Sequence, residues 1–298
     1  ILKHSHRGRI HAEIHQMRSD QGGTVTGRFS YSNPNLQQIP ARNAILGPLI
    51  RSLFIPEKDS QWGIFDYSQQ EPRLVVHYAS MKSFTGASKF VEAYQEEEST
   101  DFHQLVAEMA DIGRKQAKTI NLGLFYGMGK GKLMSQLGVD QETATDLLTS
   151  YHERVPFVKQ LMNDTMNKAG KKGYLSTLLG RRCRFDLWEP SNEWGSKALP
   201  LKDAQREYGE HMIKRAWTYK ALNRLIQGSA ADQTKQAMVA LHKEGYTAHI
   251  QVHDELDFSV ASDKDSSKIK DIMENCVELL VPSKVDVELG ESWGDAGD

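Results

Sequence analysis

Two acidic residues, far apart in the chain, sit in frames that limit what it can fold into. Asp66 follows the apolar run Trp62, Ile64, Phe65 and opens the string DYSQQEPR. Asp254 lies inside QVHDELDFSV, with Ile250 and Val252 alternating with polar residues before it and Leu256, Phe258 and Val260 after it. Period-two alternation on both sides of a short break predicts a hairpin with His253 and Asp254 at its bend. The run at 61–66 predicts a short strand ending at Asp66. The order is strand, helices, then hairpin and strand. It predicts a mostly antiparallel sheet in two parts, separated by a largely helical insertion, with the sheet bringing Asp66 and Asp254 together.

The stretch TGRFSYSNPNLQQIP at 26–40 has no helical period and reads as an ordered loop. After Pro72, RLVVHYASM predicts a helix. Phe102, Leu105, Val106 and Met109 carry a helical pattern over 100–112, and a basic helix starts near Arg114 and ends near Gly127, Gly129 and Gly131. Residues 141–170 read as helix interrupted around Pro156, 173–188 as extended, 205–243 as mostly helical, and 264–281 as a last helix before the short strand VDVEL. No internal repeat is present.

Carboxylates on a rigid sheet bind Mg²⁺ through hard oxygens. Two such ions, roughly 3.5–4 Å apart, can stabilise both the attacking and the leaving oxygen of an in-line displacement. Glu255 would point away from Asp254 in a strict strand and is a second-choice ligand. On the basic helix, Arg114, Lys118, Leu122 and Tyr126 form one slowly winding stripe, since each i+4 step turns by about 40°. Cations at one end and a phenol at the other suit a ligand with phosphates and a flat ring. Cations at a helix N-terminus oppose its dipole, which a bound polyanion would offset. His103, just upstream, could add a phosphate contact. Taken singly, each Asp reads more readily as a turn or cap residue, and the helix as a solvated face. Together they form the minimum apparatus for phosphoryl or nucleotidyl transfer.

The net charge of −2 does not announce a nucleic-acid binder, but the charge is polarised. Residues 1–50 hold Lys3, Arg7, Arg9, Arg18, Arg28 and Arg42 against Glu13 and Asp20, whereas 251–298 hold four lysines against thirteen acidic residues. One surface could attract a phosphate backbone and another gather metal. No apolar run approaches the roughly 20 residues of a membrane span, and no secretory signal is visible. A start at Ile1 predicts a fragment of a longer protein. Cys183 and Cys276 lack metal-site spacing and read as reduced thiols of a reducing compartment.

Six strings in order resemble family A DNA polymerases, the class of bacterial DNA polymerase I and many phage replicases. DYSQQEPR is similar to the first palm motif, RKQAKTINLGLFYG to the nucleotide-binding fingers helix, and VHDEL to the second palm motif. TGRFSYSNPNLQQIP resembles the primer–template segment, LNRLIQGSAAD the helix supporting the minor-groove side of the nascent pair, and GRRCRF a template-side element. The ending ELGESWGDA also resembles the family's last strand. The resemblance implies an α+β fold: an antiparallel palm sheet with flanking helices over 1–85 and 211–298, and a mostly helical fingers insertion over 86–210. It implies template-directed addition of dNTPs to a primer 3′-OH. By position, Asp66 and Asp254, with the Tyr67 carbonyl and Glu255 as further ligands, would bind two Mg²⁺. His103, Arg114 and Lys118 would hold the triphosphate, with Lys118 counted among the catalytic groups, and Gln69 and Leu122 would line the nucleotide site. Tyr126 would stack near the forming pair. Glu71, hydrogen-bonded to Tyr126, would exclude a ribose 2′-OH. Arg28, Asn35, Gln37, Arg181, Arg182, Asn223, Gln227 and His253 would contact primer–template, by shape rather than sequence.

The chain departs from the family pattern at Leu122, where an aromatic ring is usual, and at Gln70 and Pro72, where aliphatic residues are usual. Segments similar to a thumb or a proofreading exonuclease are not seen, and such parts are expected upstream or on another chain. Two alternatives stand beside the DNA polymerase. One is a single-subunit RNA polymerase, against which Glu71 and Tyr126 argue. The other is a catalytically silent nucleic-acid-binding fragment, against which the intact Asp66, Asp254, Arg114 and Lys118 argue.

Overall fold

The computed structural model describes residues 2–18, 22–40, 43, 45–128, 130–193 and 195–296; Asp20, Arg42 and Gly129 lie outside them. The chain forms two compact units, Ile1–Arg73 with Ala230–Asp298, and Leu74–Ser229.

The first unit is built on a four-stranded antiparallel sheet in the order Ile250–Val252, Glu255–Val260, Gln61–Tyr67, Val285–Gly290. Strand Gln61–Tyr67 is flanked on both sides by strands from the end of the chain. Alternation sorts its side chains. Phe65 and Tyr67 join Leu256, Phe258, Val260 and Val285 on one face, packed against Ala237 and Leu241 of the helix Ala221–Lys243 and Ile269 and Met273 of the helix Asp263–Asn275. Trp62 and Ile64 face the other way, into a second cluster with Tyr31, Leu36, Ile250 and Trp293. Strand residues buried on both faces explain why 61–67 reads as a nearly continuous apolar run. Gly63 is required by close approach, since a Cβ there would lie 2.6 Å from Val260 Cγ2.

The second unit is mostly helical: Ala87–Glu96, Phe102–Ala110, Arg114–Phe125, Lys130–Leu137, Gln141–Arg154, Pro156–Lys172 and Leu201–Tyr208. Phe102 packs on Phe90 and Phe125, and Phe90 on Phe157, with ring centroids 4.9–6.0 Å apart. Asp101 and Asp140 cap their helices by accepting backbone N–H bonds. Pro156 occupies a first turn, where its missing N–H costs nothing.

The structure departs from the sequence reading in several places. The 26–40 stretch is not all loop: Ser30–Ser32 pairs with Glu13–His15, and Asn35 caps a short 3₁₀ turn at Leu36–Gln38. Within 205–243 the helix Leu201–Tyr208 ends at Gly209 (φ 88°), a strand Ile213–Arg215 pairs with Leu187–Pro190, and the long helix begins only at Ala221. Arg215 fixes that strand by stacking on Trp188 and donating to the Phe185 carbonyl. The last helix stops at Asn275 rather than near 281, with Cys276 at its C-cap, and Val281 is buried in the irregular segment beyond it. Helices Ala87–Glu96 and Lys130–Leu137 had no counterpart in the sequence reading.

Candidate active site

In the first unit, Asp66 is the last residue but one of its strand, and Asp254 lies in the two-residue bend between Val252 and Glu255. His253 completes the bend with a left-handed φ of 57°. The Tyr67 amide donates to the Asp254 carbonyl at 3.5 Å, so the bend is tied directly to the end of the Asp66 strand. Tyr67 buries its side chain on the opposite face, with its hydroxyl donating to the Met273 carbonyl at 2.6 Å. Only its backbone is left to serve the Asp66 side.

Strict alternation does not carry across the bend, and this corrects the placement of Glu255. It is the first residue of its strand and stands directly opposite Asp66, as Asp286 does on the other side. Directly opposed residues share a face. The Glu255 carboxyl is nevertheless drawn into a buried group with Asp257, Arg51 and Trp293. Burial first, then the neighbouring Glu255, pushes Asp257 well above the usual carboxylate range.

Asp66 exposes surface at the sheet's end, yet it sits among enough protein atoms to lose hydration. That loss, and then the carboxylates of Asp254, Glu255, Asp286 and Glu288, push its pKa up to about 8. Burial also raises Asp254, against the pull of its own backbone N–H, Arg28 and His253. Among the described residues, neither Asp66 nor Asp254 has a salt-bridge partner. Hard-oxygen ligands raised first by burial, and at Asp66 then by neighbouring carboxylates, with no salt bridge to a cation among the described residues, fit a divalent metal.

Around this end lie several residues singled out in the sequence. Arg28 donates to Glu71 at 2.6 Å in a largely buried ion pair. Gln37 bonds the Gln251 carbonyl and side chain. Arg28, Gln251 and His253 line one small cleft with Phe29, Ala231, Thr234 and Lys235. Gln69 takes a left-handed φ of 52° just before the helix Gln70–Met81. Gln70, unusual for the resembled motif, is buried and bonds Gln233 and Thr234, so its polarity is satisfied.

In the second unit, the helix Arg114–Phe125 buries Ala117, Ile120, Asn121 and Phe125 and leaves Arg114, Lys118 and Tyr126 exposed. The predicted stripe is therefore open along its length, with Leu122 half-buried within it. Arg114 is held by Asp101, with Nε 2.9 Å from Oδ2. This carboxylate, which the sequence reading missed, offsets part of the adverse dipole at the helix start. Burial pushes Asp101 up, but Arg114 and the amides of Gln104 and His103 outweigh it and hold the group below its usual range. His103 is buried, and its pKa falls to about 4 through burial and the Lys118 and Arg114 cations, against the pull of Asp101.

Asn223 and Gln227 lie one turn apart and are the only half-exposed positions in 221–229, which is otherwise buried. Arg181 donates to the Gly228 carbonyl at 2.9 Å, and Arg182 is exposed and lies over the Tyr174 ring. Asn121 and Tyr151 were not singled out from sequence. The readable signal was an asparagine at an apolar-face position of an amphipathic helix.

Comparison with known proteins gives this arrangement a family. The model for DNA polymerase family A matches residues 1–295. A DNA-directed DNA polymerase of Pseudomonas phage M6 is 38% identical over 99% of this chain and 48% of its own length. The thermostable DNA polymerase I of Thermus aquaticus is 34% identical over 98% of this chain and 33% of its own length. Among solved structures, the POL domain of Pol1 from M. smegmatis, in complex with DNA primer-template and dNTP, matches with a TM-score of 0.78 at 31% identity, covering 99% of this chain and 50% of that one. The chain spans about half, or less, of the length of these relatives. It belongs to DNA polymerase family A.

Proposed function

We propose that this chain is the palm and fingers portion of a template-directed DNA polymerase that extends a primer 3′-OH with dNTPs. The observation that carries the reading is the pairing of Asp66, at a strand end, with Asp254, in the bend hydrogen-bonded to that strand. In this reading the palm spans 1–85 and 211–298 and the fingers 86–210, so the palm takes in the first and last residues of the compact unit Leu74–Ser229. The primer 3′-oxygen bonds to the α-phosphorus of the dNTP, the bond to the β-phosphate breaks, and pyrophosphate leaves. Family A polymerases depend on metal ions; here Asp66 and Asp254, with the Tyr67 carbonyl and Glu255 as further ligands, would hold two Mg²⁺. Bound there, they supply positive charge to the attacking and leaving oxygens. Arg114, Lys118 and His103 hold the triphosphate, with Gln69 and Leu122 lining the nucleotide site and Tyr126 near the forming pair. Arg28, Asn35, Gln37, Arg181, Arg182, Asn223, Gln227 and His253 hold primer–template. Thumb or exonuclease parts belong to a longer protein or another chain. No helix among the described residues is long and apolar enough to cross a membrane, which accords with work in the cytoplasm.

A primer-extension assay with and without Mg²⁺, using dNTPs and rNTPs in parallel, tests the reading. Extension by dNTPs only with metal supports it. Duplex binding with no extension would point to a silent binding module, and equal use of rNTPs to an RNA polymerase.

The carboxylate pair also predicts a pH signature. Between about 4 and 8 the folded Asp66 keeps a proton that the unfolded chain has lost. Metal-free stability from this group therefore falls as pH rises through that window. A divalent ion replaces the proton, so the rise in Tm on adding Mg²⁺ should be larger at pH 8.5 than at pH 6, by roughly the proton-linked amount. An equal rise at both pH values would show that these carboxyls are not the metal site.

Sugar selection gives a further expectation. Glu71 is fixed by Arg28, and a fixed polar group rejects a misfitting hydroxyl more sharply than an apolar wall does. Glu71→Ala should raise ribonucleotide incorporation by roughly 10²-fold or more in rNTP/dNTP competition. Equal incorporation by parent and variant would remove Glu71 as the gate.

A further inference from the structure

A buried polar chain runs through the helical unit and reaches the nucleotide-binding set only at His103. Asn121 and Tyr151 have no exposed surface. The Tyr151 hydroxyl donates to Asn121 Oδ1, and Asn121 Nδ2 lies 2.9 Å from His103 Nδ1. Nothing else in the proposed function uses either residue. A phenol and an amide buried among apolar side chains are costly unless every polar atom is satisfied, and a satisfied network fixes its members in one arrangement.

The direction of the chain follows from the chemistry of its ends. A phenol is a good donor and a poor acceptor, because its oxygen lone pair is shared with the ring. It therefore takes the amide carbonyl, which leaves the amide N–H to the histidine. A neutral imidazole can receive that bond only at a bare nitrogen, and its proton then sits on the other one. His103 is kept neutral by burial and by Lys118 and Arg114, with Asp101 opposing. Among the described residues no hydrogen bond engages its Nε2.

We propose that Asn121 and Tyr151 are positioning residues that act through His103, holding Nδ1 as an acceptor and the proton on Nε2, so that a neutral N–H donor meets the triphosphate. This rests on the reading that His103 contacts the triphosphate. The two cations of the stripe supply charge, and the imidazole supplies a directed donor that needs no proton from solvent. An aspartate at 121 keeps the shape of the side chain but has no N–H to give Nδ1, so it would break the match of donors to acceptors.

Long-range ¹H–¹⁵N NMR of the histidine-labelled 298-residue chain reads the tautomer without any substitution. The expected spectrum shows His103 protonated at Nε2 and bare at Nδ1; a proton on Nδ1 would overturn the proposal. Tyr151→Phe keeps the ring and frees the amide to turn. It should give mixed tautomers and weaken dNTP affinity about 3- to 10-fold, the size of one hydrogen bond, with duplex affinity unchanged. In a His103→Ala background the same substitution should add nothing. An equal loss in both backgrounds would mark Tyr151 as merely structural and sink the proposal. Unchanged dNTP affinity in His103→Ala alone would instead remove the triphosphate contact, and the positioning role with it, whatever the tautomer.

Discussion

Asp66→Ala and Asp254→Ala are each expected to lower nucleotide addition by roughly a thousandfold or more while leaving duplex binding near parental. The magnitude follows from what the two carboxylates would do together. A metal pair contributes several kcal/mol of charge stabilisation in the transition state, and each 1.36 kcal/mol is a factor of ten in rate. The fold should survive, because Asp66 lies at an exposed strand end and Asp254 in a bend, and neither forms a salt bridge among the described residues. Removing one of two repelling carboxyls should even raise metal-free stability slightly, since the neighbours' protons would then be held less tightly. Single-turnover extension with saturating dNTP, beside duplex titration and thermal melts in EDTA, measures all three. Near-parental extension by either variant would end the two-metal assignment.

Lys118→Ala should lower kcat/KM by about 10²–10³-fold, the usual cost of losing one fixed donor to a developing phosphate charge. The side chain is exposed on the open stripe of its helix, so truncation leaves no cavity. If its partner is the triphosphate, the salt slope of duplex binding stays as it was, whereas loss of a duplex phosphate contact would lower it by about 0.9. Arg114→Ala should move in the same direction, but it also strips Asp101 of its partner, so part of its effect will be local loosening of the helix start. An unchanged dNTP affinity and turnover in both variants would show that the stripe is only a solvated face.

The parts of the molecule legible from sequence were those where short-range periodicity and function agree. Alternation around Asp254 located the hairpin, and the apolar run before Asp66 located its strand, because both are governed by which face of a pleat is buried. The i+4 stripe was legible because helix geometry alone puts Arg114, Lys118 and Tyr126 on one open side. What escaped was set by partners distant in sequence. Ser30–Ser32 is a strand because Glu13–His15 lies beside it, and Ile213–Arg215 because Leu187–Pro190 does. Glu255 was misjudged because alternation was carried through a bend where it does not hold. Asn121 looked like one more residue of a basic helix, and only its hydroxyl and imidazole neighbours on two other helices give it a role. Asp101 hid for the same reason, since an N-cap aspartate and an arginine's partner have the same spelling.

The position of Gln61–Tyr67 at the middle of its sheet has a consequence for how the protein comes off the ribosome. Both neighbours of this strand are made from the last fifth of the chain. Until they emerge, a run that includes Trp62, Ile64, Phe65 and Tyr67 has two unpaired edges and two bare apolar faces. Leu74–Ser229 emerges earlier and, with its many contacts between nearby helices, can collapse while that strand waits. This sheet therefore closes only after the helical body has formed, at the cost of a loop of more than 200 residues. Nascent chains stalled before residue 250 should hold a protected helical body beside a sticky, chaperone-binding segment at 61–67, and a release of that segment should coincide with synthesis of the hairpin.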